Sequence, residues 1–107
     1  MSTYLNNLFK LEGRVAAVTG AGGHLCSEMA RGLARSGCAV AILDLRLQKA
    51  QAIKDELKAE GFDKVMALSI DVAKKNEHVL ALNAILKNFG KIDILINGAG
   101  TNGSTPF

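Results

Sequence analysis

The segment Thr19-Gly20-Ala21-Gly22-Gly23 separates an apolar run that ends at Val18 from a helix-like run that begins near Leu25. Small residues between a strand and a helix predict a tight turn, because glycine adopts backbone angles that other residues resist. Glycine also leaves no Cβ between main-chain N–H groups and a bound anion, and the helix that follows points the positive end of its dipole at the same place. The segment therefore predicts a strand, an anion-binding turn and a helix in succession.

The same unit recurs along the chain. The predicted strands are 14–19, 38–43 closed by Asp44, 65–70 and 92–96, and the predicted helices are 25–36, 47–60 and 76–89, ending at Gly37, Gly61 and Gly90. The apolar stripes expected to face the core are Leu25, Met29 and Leu33, then Ala50, Ile53 and Leu57, then Val79, Leu82, Leu86 and Phe89. Unbroken apolar strands that alternate with helices predict a parallel sheet covered on both faces. We expect a doubly wound, Rossmann-type α/β fold with strand order 3-2-1-4.

Composition limits the classes of function. The 107 residues suit one domain, and the net charge of +3 is spread over lysines that alternate with acids, which argues against a nucleic-acid surface. No stretch approaches the roughly 18 apolar residues of a membrane span, and the first residues lack the pattern of a signal peptide. The two cysteines, Cys26 and Cys38, have no metal-site spacing and suit a reducing, cytoplasmic location.

Asp44 ends the second predicted strand, about 20 residues after the glycine turn, where a carboxylate accepts hydrogen bonds from a nucleotide ribose. The alternative is a carboxylate that only caps the next turn. If Asp44 faces the ribose, its charge repels a 2′-phosphate and favours NAD over NADP. Arg46, two residues later, is placed to relieve that repulsion.

Two further segments follow predicted strands and therefore fall at the same edge of the sheet. Asp71-Val72 is expected beside the adenine, as an acceptor and an apolar wall, unless Asp71 only caps a helix. Asn97-Gly98-Ala99-Gly100 has almost no bulk and allows a cofactor ribose to approach, unless it is only a small-residue turn.

In this order and spacing, these segments resemble the cofactor half of the short-chain dehydrogenase/reductase family over residues 8–100. The resemblance implies a bound dinucleotide, with the pyrophosphate at the turn and α-helix start, the adenosine ribose at Asp44, the adenine at Asp71 and Val72, and the nicotinamide ribose at the fourth strand. The residues assigned to the cofactor are Gly20, Gly22, Gly23, His24, Leu25, Asp44, Asp71, Val72, Asn97, Gly98, Ala99 and Gly100.

The chain departs from the family pattern at three positions. His24 and Cys26 stand where the family usually has glycine, and Gly98 stands where it usually has asparagine. His24 either donates to the pyrophosphate or only lines the turn, and Cys26 is expected to pack against the first strand. The pattern is similar to a subgroup that includes mannonate (fructuronate) oxidoreductases, which implies a sugar-acid substrate.

The family's catalytic Tyr-x-x-x-Lys pair and serine have no counterpart in this sequence. Tyr4 has Leu8 four residues later instead of lysine, and Ser104 comes too early. The fourth strand would also expose apolar residues at the edge of the sheet. We therefore expect the chain to be the incomplete, amino-terminal part (strands one to four) of a longer, homo-oligomeric enzyme, and to be inactive alone.

Two other classes fit the same pattern. Adenosylmethionine-dependent methyltransferases combine a glycine-rich first turn with an acidic residue after the second strand, and a non-catalytic nucleotide sensor can be built on the same fold. Saturation by NADH favours the oxidoreductase, and saturation by adenosylmethionine favours the methyltransferase. A Tyr-x-x-x-Lys pair downstream of this sequence favours an enzyme, and its absence favours a sensor.

Overall fold

A computed structural model describes residues 11–98 of the chain, and this part alternates four strands with three helices. The elements are β1 (Val15–Thr19), α1 (His24–Arg35), β2 (Ala39–Asp44), α2 (Leu47–Ala59), β3 (Val65–Ser69), α3 (Lys75–Phe89) and β4 (Ile94–Asn97). Each predicted boundary lies within two residues of the observed one. None of these helices is long and apolar enough to cross a membrane.

The four strands form one parallel sheet in the order β3-β2-β1-β4, which confirms the predicted fold class and strand order. Its register sets Thr19 opposite Leu43 on one side and opposite Asn97 on the other, and sets Asp44 opposite Ser69. The carboxyl ends of all four strands therefore meet at one edge of the sheet, which is where ligands bind in open α/β sheets.

Alternate residues of the strands point to two hydrophobic cores, one on each face of the sheet. On one face, Ala16 and Val18 pack with residues of α1 and α2; on the other, Val15 and Ala17 pack with residues of α3. Every residue of β1 and β2 is buried. The two central strands are thus covered on both faces, as their unbroken apolar runs predict.

The predicted core stripe of α1 is wrong. Leu25 is 70% exposed and Met29 is 40% exposed, whereas the buried residues of this helix are Ser27, Ala30 and Ala34. Small side chains let the helix backbone lie close to the sheet, and only Leu33 of the predicted stripe packs against the core. The stripe of α2 is confirmed, since Ala50, Ile53 and Leu57 are its buried residues.

The stripe of α3 is also displaced. This helix buries Ala81 and Ile85, whereas Val79, Leu82 and Leu86 are 40–50% exposed, and Phe89 is half-buried against the core. On β4 the burial alternates, and Leu95 is 67% exposed. Among residues 11–98, the periphery of the sheet near α3 and β4 therefore carries apolar side chains that nothing covers.

We expect Leu57→Ala to lower the free energy of unfolding by about 2–5 kcal/mol, because it removes a fully buried side chain and leaves a cavity. Leu25→Ala is the matched control and should change it by no more than about 0.5 kcal/mol, since that leucine is mostly in solvent. Urea unfolding followed by circular dichroism measures both. Equal losses for the two variants would contradict the observed orientation of α1.

Candidate functional site

The glycine turn is held by backbone hydrogen bonds to itself and to β2. Gly20 has a φ of +69°, in the left-handed region that favours glycine. The Gly23 N–H donates to the Gly20 carbonyl at 3.0 Å, and the Ala21 N–H donates to the Leu43 carbonyl at 3.1 Å. The turn after β1 is therefore fixed against the end of the neighbouring strand before any ligand binds.

A contact between Gly22 and Asp44 completes this attachment. The Gly22 N–H donates to Asp44 Oδ2 at 2.8 Å. A Cβ added to Gly22 would lie 2.7 Å from the same oxygen and 2.8 Å from the Cβ of Lys49. Such distances are far inside van der Waals contact, so the turn reaches the carboxylate only because position 22 has no side chain.

The Asp44 carboxylate is buried and ionised. It is 4% exposed, and its Oδ1 accepts hydrogen bonds from the Arg46 backbone N–H at 2.8 Å and from Arg46 Nε at 3.1 Å. Burial alone raises the pKa of Asp44, but the hydrogen bonds from Arg46 and Gly22, with the charge of Arg46, outweigh burial and lower it below its ordinary value. A fixed negative charge therefore lies at the end of β2, beside the glycine turn.

The start of α1 is open to an anion. Gly23 is its N-cap, and within residues 11–98 no side chain caps the helix start and no acidic residue lies in its first turn. Helix geometry leaves the first N–H groups without acceptors inside the helix, and the dipole makes that end positive. His24 and Leu25 are exposed there, while Cys26 is half-buried and packs against the core, as predicted for it.

The end of β4 is joined to the end of β1. Thr19 Oγ1 donates to Asn97 Oδ1 at 2.8 Å, and the Gly98 N–H donates to the Thr19 carbonyl at 3.2 Å. Asn97 and Gly98 thus lie next to the residue that opens the glycine turn. Ala99 and Gly100, which complete the predicted segment, lie outside the described residues, as do Tyr4 and Ser104.

Asp71 and Val72 follow β3, close to Asp44, whose carbonyl accepts the Ile70 N–H at 3.0 Å. Asp71 Oδ1 accepts the Ala73 N–H at 3.0 Å, and the Asp71 N–H donates to Glu77 Oε1 at 2.8 Å. The structure therefore shows Asp71 in the turn before α3, whose N-cap is Lys74, so Asp71 does not cap this helix as the structural alternative supposed. Its role beside an adenine remains a prediction.

Two further contacts shape this edge of the sheet and were not predicted from the sequence. The Thr19 to Asn97 hydrogen bond joins residues 78 positions apart, and no local pattern signals it. His78 Nε2 donates to the Val72 carbonyl at 2.6 Å, which fixes the segment after β3. Within the described ranges, no group of three or more His, Cys, Asp or Glu side chains is arranged to hold a metal ion.

The fold and this site define a dinucleotide-binding type of α/β protein, and comparison with known proteins gives its family. The sequence profile of the short chain dehydrogenase family matches residues 14–107. The chain belongs to this family, and its relatives include a dehydrogenase and a reductase.

Two relatives illustrate the range of similarity. The chain is 46% identical over 92 residues to the uncharacterized oxidoreductase UxuB of Bacillus subtilis, covering 86% of this chain and 33% of that protein. It is 33% identical over 103 residues to the 5-keto-D-gluconate 5-reductase of Escherichia coli, covering 96% of this chain and 40% of that protein. The chain thus spans a third to two fifths of the length of these curated relatives.

Solved structures agree with the fold. A hydroxysteroid dehydrogenase from Escherichia coli superposes with a TM-score of 0.85 at 32% identity, covering 95% of this chain and 43% of that one. A 3-ketoacyl-(acyl-carrier-protein) reductase from Brucella melitensis, complexed with NADH, gives a TM-score of 0.75 at 36% identity and covers 80% of this chain and 34% of that one. The family and this complex support a nicotinamide cofactor.

Asp44 should make stability depend on pH in the acid range. Because its pKa is lower in the folded than in the unfolded state, it contributes stability that is fully present above its unfolded pKa, about 3.9, and is lost as pH falls through the folded value. We expect the free energy of unfolding to fall more steeply below about pH 4 in the wild type than in Asp44→Asn. Urea unfolding from pH 7 to pH 3 measures this, and parallel pH profiles would contradict it.

Proposed function

We propose that this chain is the NAD-binding part of an oxidoreductase that transfers hydride between a nicotinamide cofactor and a secondary alcohol or ketone. The observation that carries the proposal is the glycine turn fixed onto the ionised Asp44 at the carboxyl edge of the sheet. Membership of the short chain dehydrogenase family supports the reaction class. The hydride chemistry belongs to the cofactor, and the residues of this chain bind and orient it.

The pyrophosphate would bind at the first turn of α1. Because the N–H groups of Gly22 and Gly23 already donate to Asp44 and to Gly20, we assign the hydrogen bonds to the first helical amides, those of His24 and Leu25. The role of the three glycines, Gly20, Gly22 and Gly23, would be to leave room for the pyrophosphate, since they carry no side chains. The absence of an acidic side chain from the described first turn of α1 favours this placement.

The adenosine ribose would bind at Asp44. An ionised carboxylate offers about four acceptor positions, and three are used by the N–H of Gly22 and the two donors of Arg46. One position on Oδ2 therefore remains for a ribose hydroxyl. The Arg46 side chain is 49% exposed, so its displacement from Oδ1 would open a second position for the neighbouring hydroxyl.

This arrangement favours NAD over NADP. A 2′-phosphate placed about 4 Å from the Asp44 carboxylate would be repelled by several kcal/mol at an intermediate effective dielectric. The positive charge of Arg46 offsets part of that repulsion, but Arg46 is already paired with Asp44 at 3.1 Å. We therefore propose a preference for NAD in which Arg46 determines how much NADP is tolerated.

The remaining cofactor contacts follow the edge of the sheet. We propose that Asp71 and Val72 flank the adenine, since the segment after β3 is hydrogen-bonded next to Asp44. Asn97 and Gly98, with Ala99 and Gly100, would receive the ribose next to the nicotinamide.

We further propose that this chain is the amino-terminal part of a longer, homo-oligomeric, cytoplasmic enzyme. The relatives described above are about two and a half times as long, and the catalytic Tyr-x-x-x-Lys pair would be supplied by the remainder. A sugar acid is the proposed substrate, supported by the motif pattern and by the 5-keto-D-gluconate 5-reductase. The hydroxysteroid dehydrogenase is 32% identical to the chain, and assay of the longer enzyme on a sugar acid and on a hydroxysteroid distinguishes these two substrate classes.

We expect Asp44→Ala to weaken NADH binding by about 10- to 100-fold, because hydrogen bonds to a charged acceptor contribute about 1.5–3 kcal/mol. NADPH binding should weaken less, since the variant also removes the repulsion of the 2′-phosphate. Fluorescence titration of both coenzymes measures the ratio. Equal loss for NADH and NADPH would contradict the ribose role of Asp44.

Asp63→Ala is the matched control for Asp44→Ala. Asp63 is an exposed carboxylate next to the amino end of β3, at the opposite edge of the sheet, so its loss should leave NADH affinity within about twofold of wild type. A calorimetric titration of the wild type with adenosylmethionine tests the methyltransferase alternative. Saturation by adenosylmethionine without NADH binding would replace the proposed function with that of a methyltransferase.

Arg46→Ala tests the cofactor preference separately. We expect NADPH binding to weaken by about tenfold, because the variant leaves the Asp44 charge facing a 2′-phosphate without a neighbouring cation. NADH binding should change by less than about threefold. Arg35→Ala, which removes an arginine from the far end of α1, is the control, and tighter NADPH binding by Arg46→Ala would contradict the assignment.

A further inference from the structure

The thiol of Cys26 lies where a side chain at position 98 would be. A Cβ built on Gly98 would overlap Cys26 Sγ, and it would lie 3.4 Å from Cys26 Cβ and 3.0 Å from the Thr19 carbonyl oxygen. Because of the overlap with the thiol, no residue except glycine fits at position 98 while the Cys26 side chain keeps this position. The two residues therefore fit each other as a matched pair across the gap between α1 and β4.

This pair lies where three elements converge. Cys26 is in the first turn of α1, Thr19 ends β1, and Gly98 directly follows β4 and donates to the Thr19 carbonyl at 3.2 Å. Cys26 packs against the same core that Ile94 and Ile96 of β4 contact. A side chain at position 98 would displace the Cys26 thiol from its position against the core and would press on the Thr19 carbonyl oxygen, at the junction of the start of α1 with the end of β4.

We propose that Cys26 is a positioning residue, which through its fit against Gly98 sets the distance between the anion-binding start of α1 and the end of β4. The proposal rests on the proposed function, in which the pyrophosphate binds at α1 and the nicotinamide ribose at Asn97 and Gly98. A dinucleotide spans both places and requires the correct distance between them. A ligand that contains only the adenosine and pyrophosphate half requires the start of α1 alone.

The test uses Gly98→Ala, with NADH and ADP as probes in parallel fluorescence and calorimetric titrations. We expect Gly98→Ala to weaken NADH binding by tenfold or more and ADP binding by less than threefold. Cys26→Gly/Gly98→Ala, in which the thiol is removed, should recover NADH binding to within about threefold of wild type. Gly32→Ala is the matched control, because Gly32 lies in α1 and a Cβ added there meets no atom within 4 Å.

Each other outcome overturns the proposal. Unchanged NADH binding by Gly98→Ala would show that the pair does not set the distance, and equal losses for NADH and ADP would show a general disruption of the turn. If the double variant does not recover NADH binding, the loss in Gly98→Ala is not caused by the clash with Cys26. If Gly98→Ala does not fold, the double variant must fold and bind NADH for the proposal to stand.

The proposed function fails in a different way from this inference. If the wild type binds neither NADH nor ADP, the dinucleotide site itself is wrong, and the positioning role is wrong with it. If the wild type binds both and Gly98→Ala leaves both affinities unchanged, only the positioning role is lost. The unfolding free energies of the two single variants and the double variant give the steric coupling of positions 26 and 98 without any ligand.

Discussion

The hydrogen bond from the Gly22 N–H to the Asp44 carboxylate is the constraint on which the candidate site depends. It joins the turn after β1 to the end of β2, and it requires a residue without a side chain at position 22. It also supplies one of the donors that keep a buried carboxylate ionised. The same contact thereby fixes the shape of the turn and the sign of the charge beside it.

A buried carboxylate is costly unless its oxygens accept hydrogen bonds, and a half-satisfied one is a poor recognition element because it must reorganise when a ligand arrives. Asp44 avoids both problems. Its oxygens accept from two backbone N–H groups and one arginine, and only the arginine is free to move, because its side chain is 49% exposed. The site is therefore rigid where it meets the backbone and adjustable at the one place that affects the choice of coenzyme.

Local sequence patterns predicted the elements and the position of Asp44 at the end of β2, because apolar runs, helical spacing and strand ends are local properties. The strand order followed from the fold class that these elements define. They did not predict which face of α1 is buried. Leucine spacing favoured Leu25 and Met29, but close packing on the sheet selects the smaller Ala30 and Ala34. Contacts between distant positions, such as Thr19 with Asn97 or Cys26 with Gly98, leave no local signal, since each partner is ordinary in its own segment.

The two halves of the candidate site have unequal support from the fold. Thr19 and Asp44 end strands in which every residue is buried, so the adenosine half is positioned by packing on both faces of the sheet. Asn97 ends β4, where burial alternates and Leu95 is mostly exposed among the described residues. The position of the nicotinamide half therefore depends on the contacts that join β4 to β1 and α1. These include the parallel pairing of β4 with β1, the Thr19 hydrogen bonds and the fit of Cys26 against Gly98.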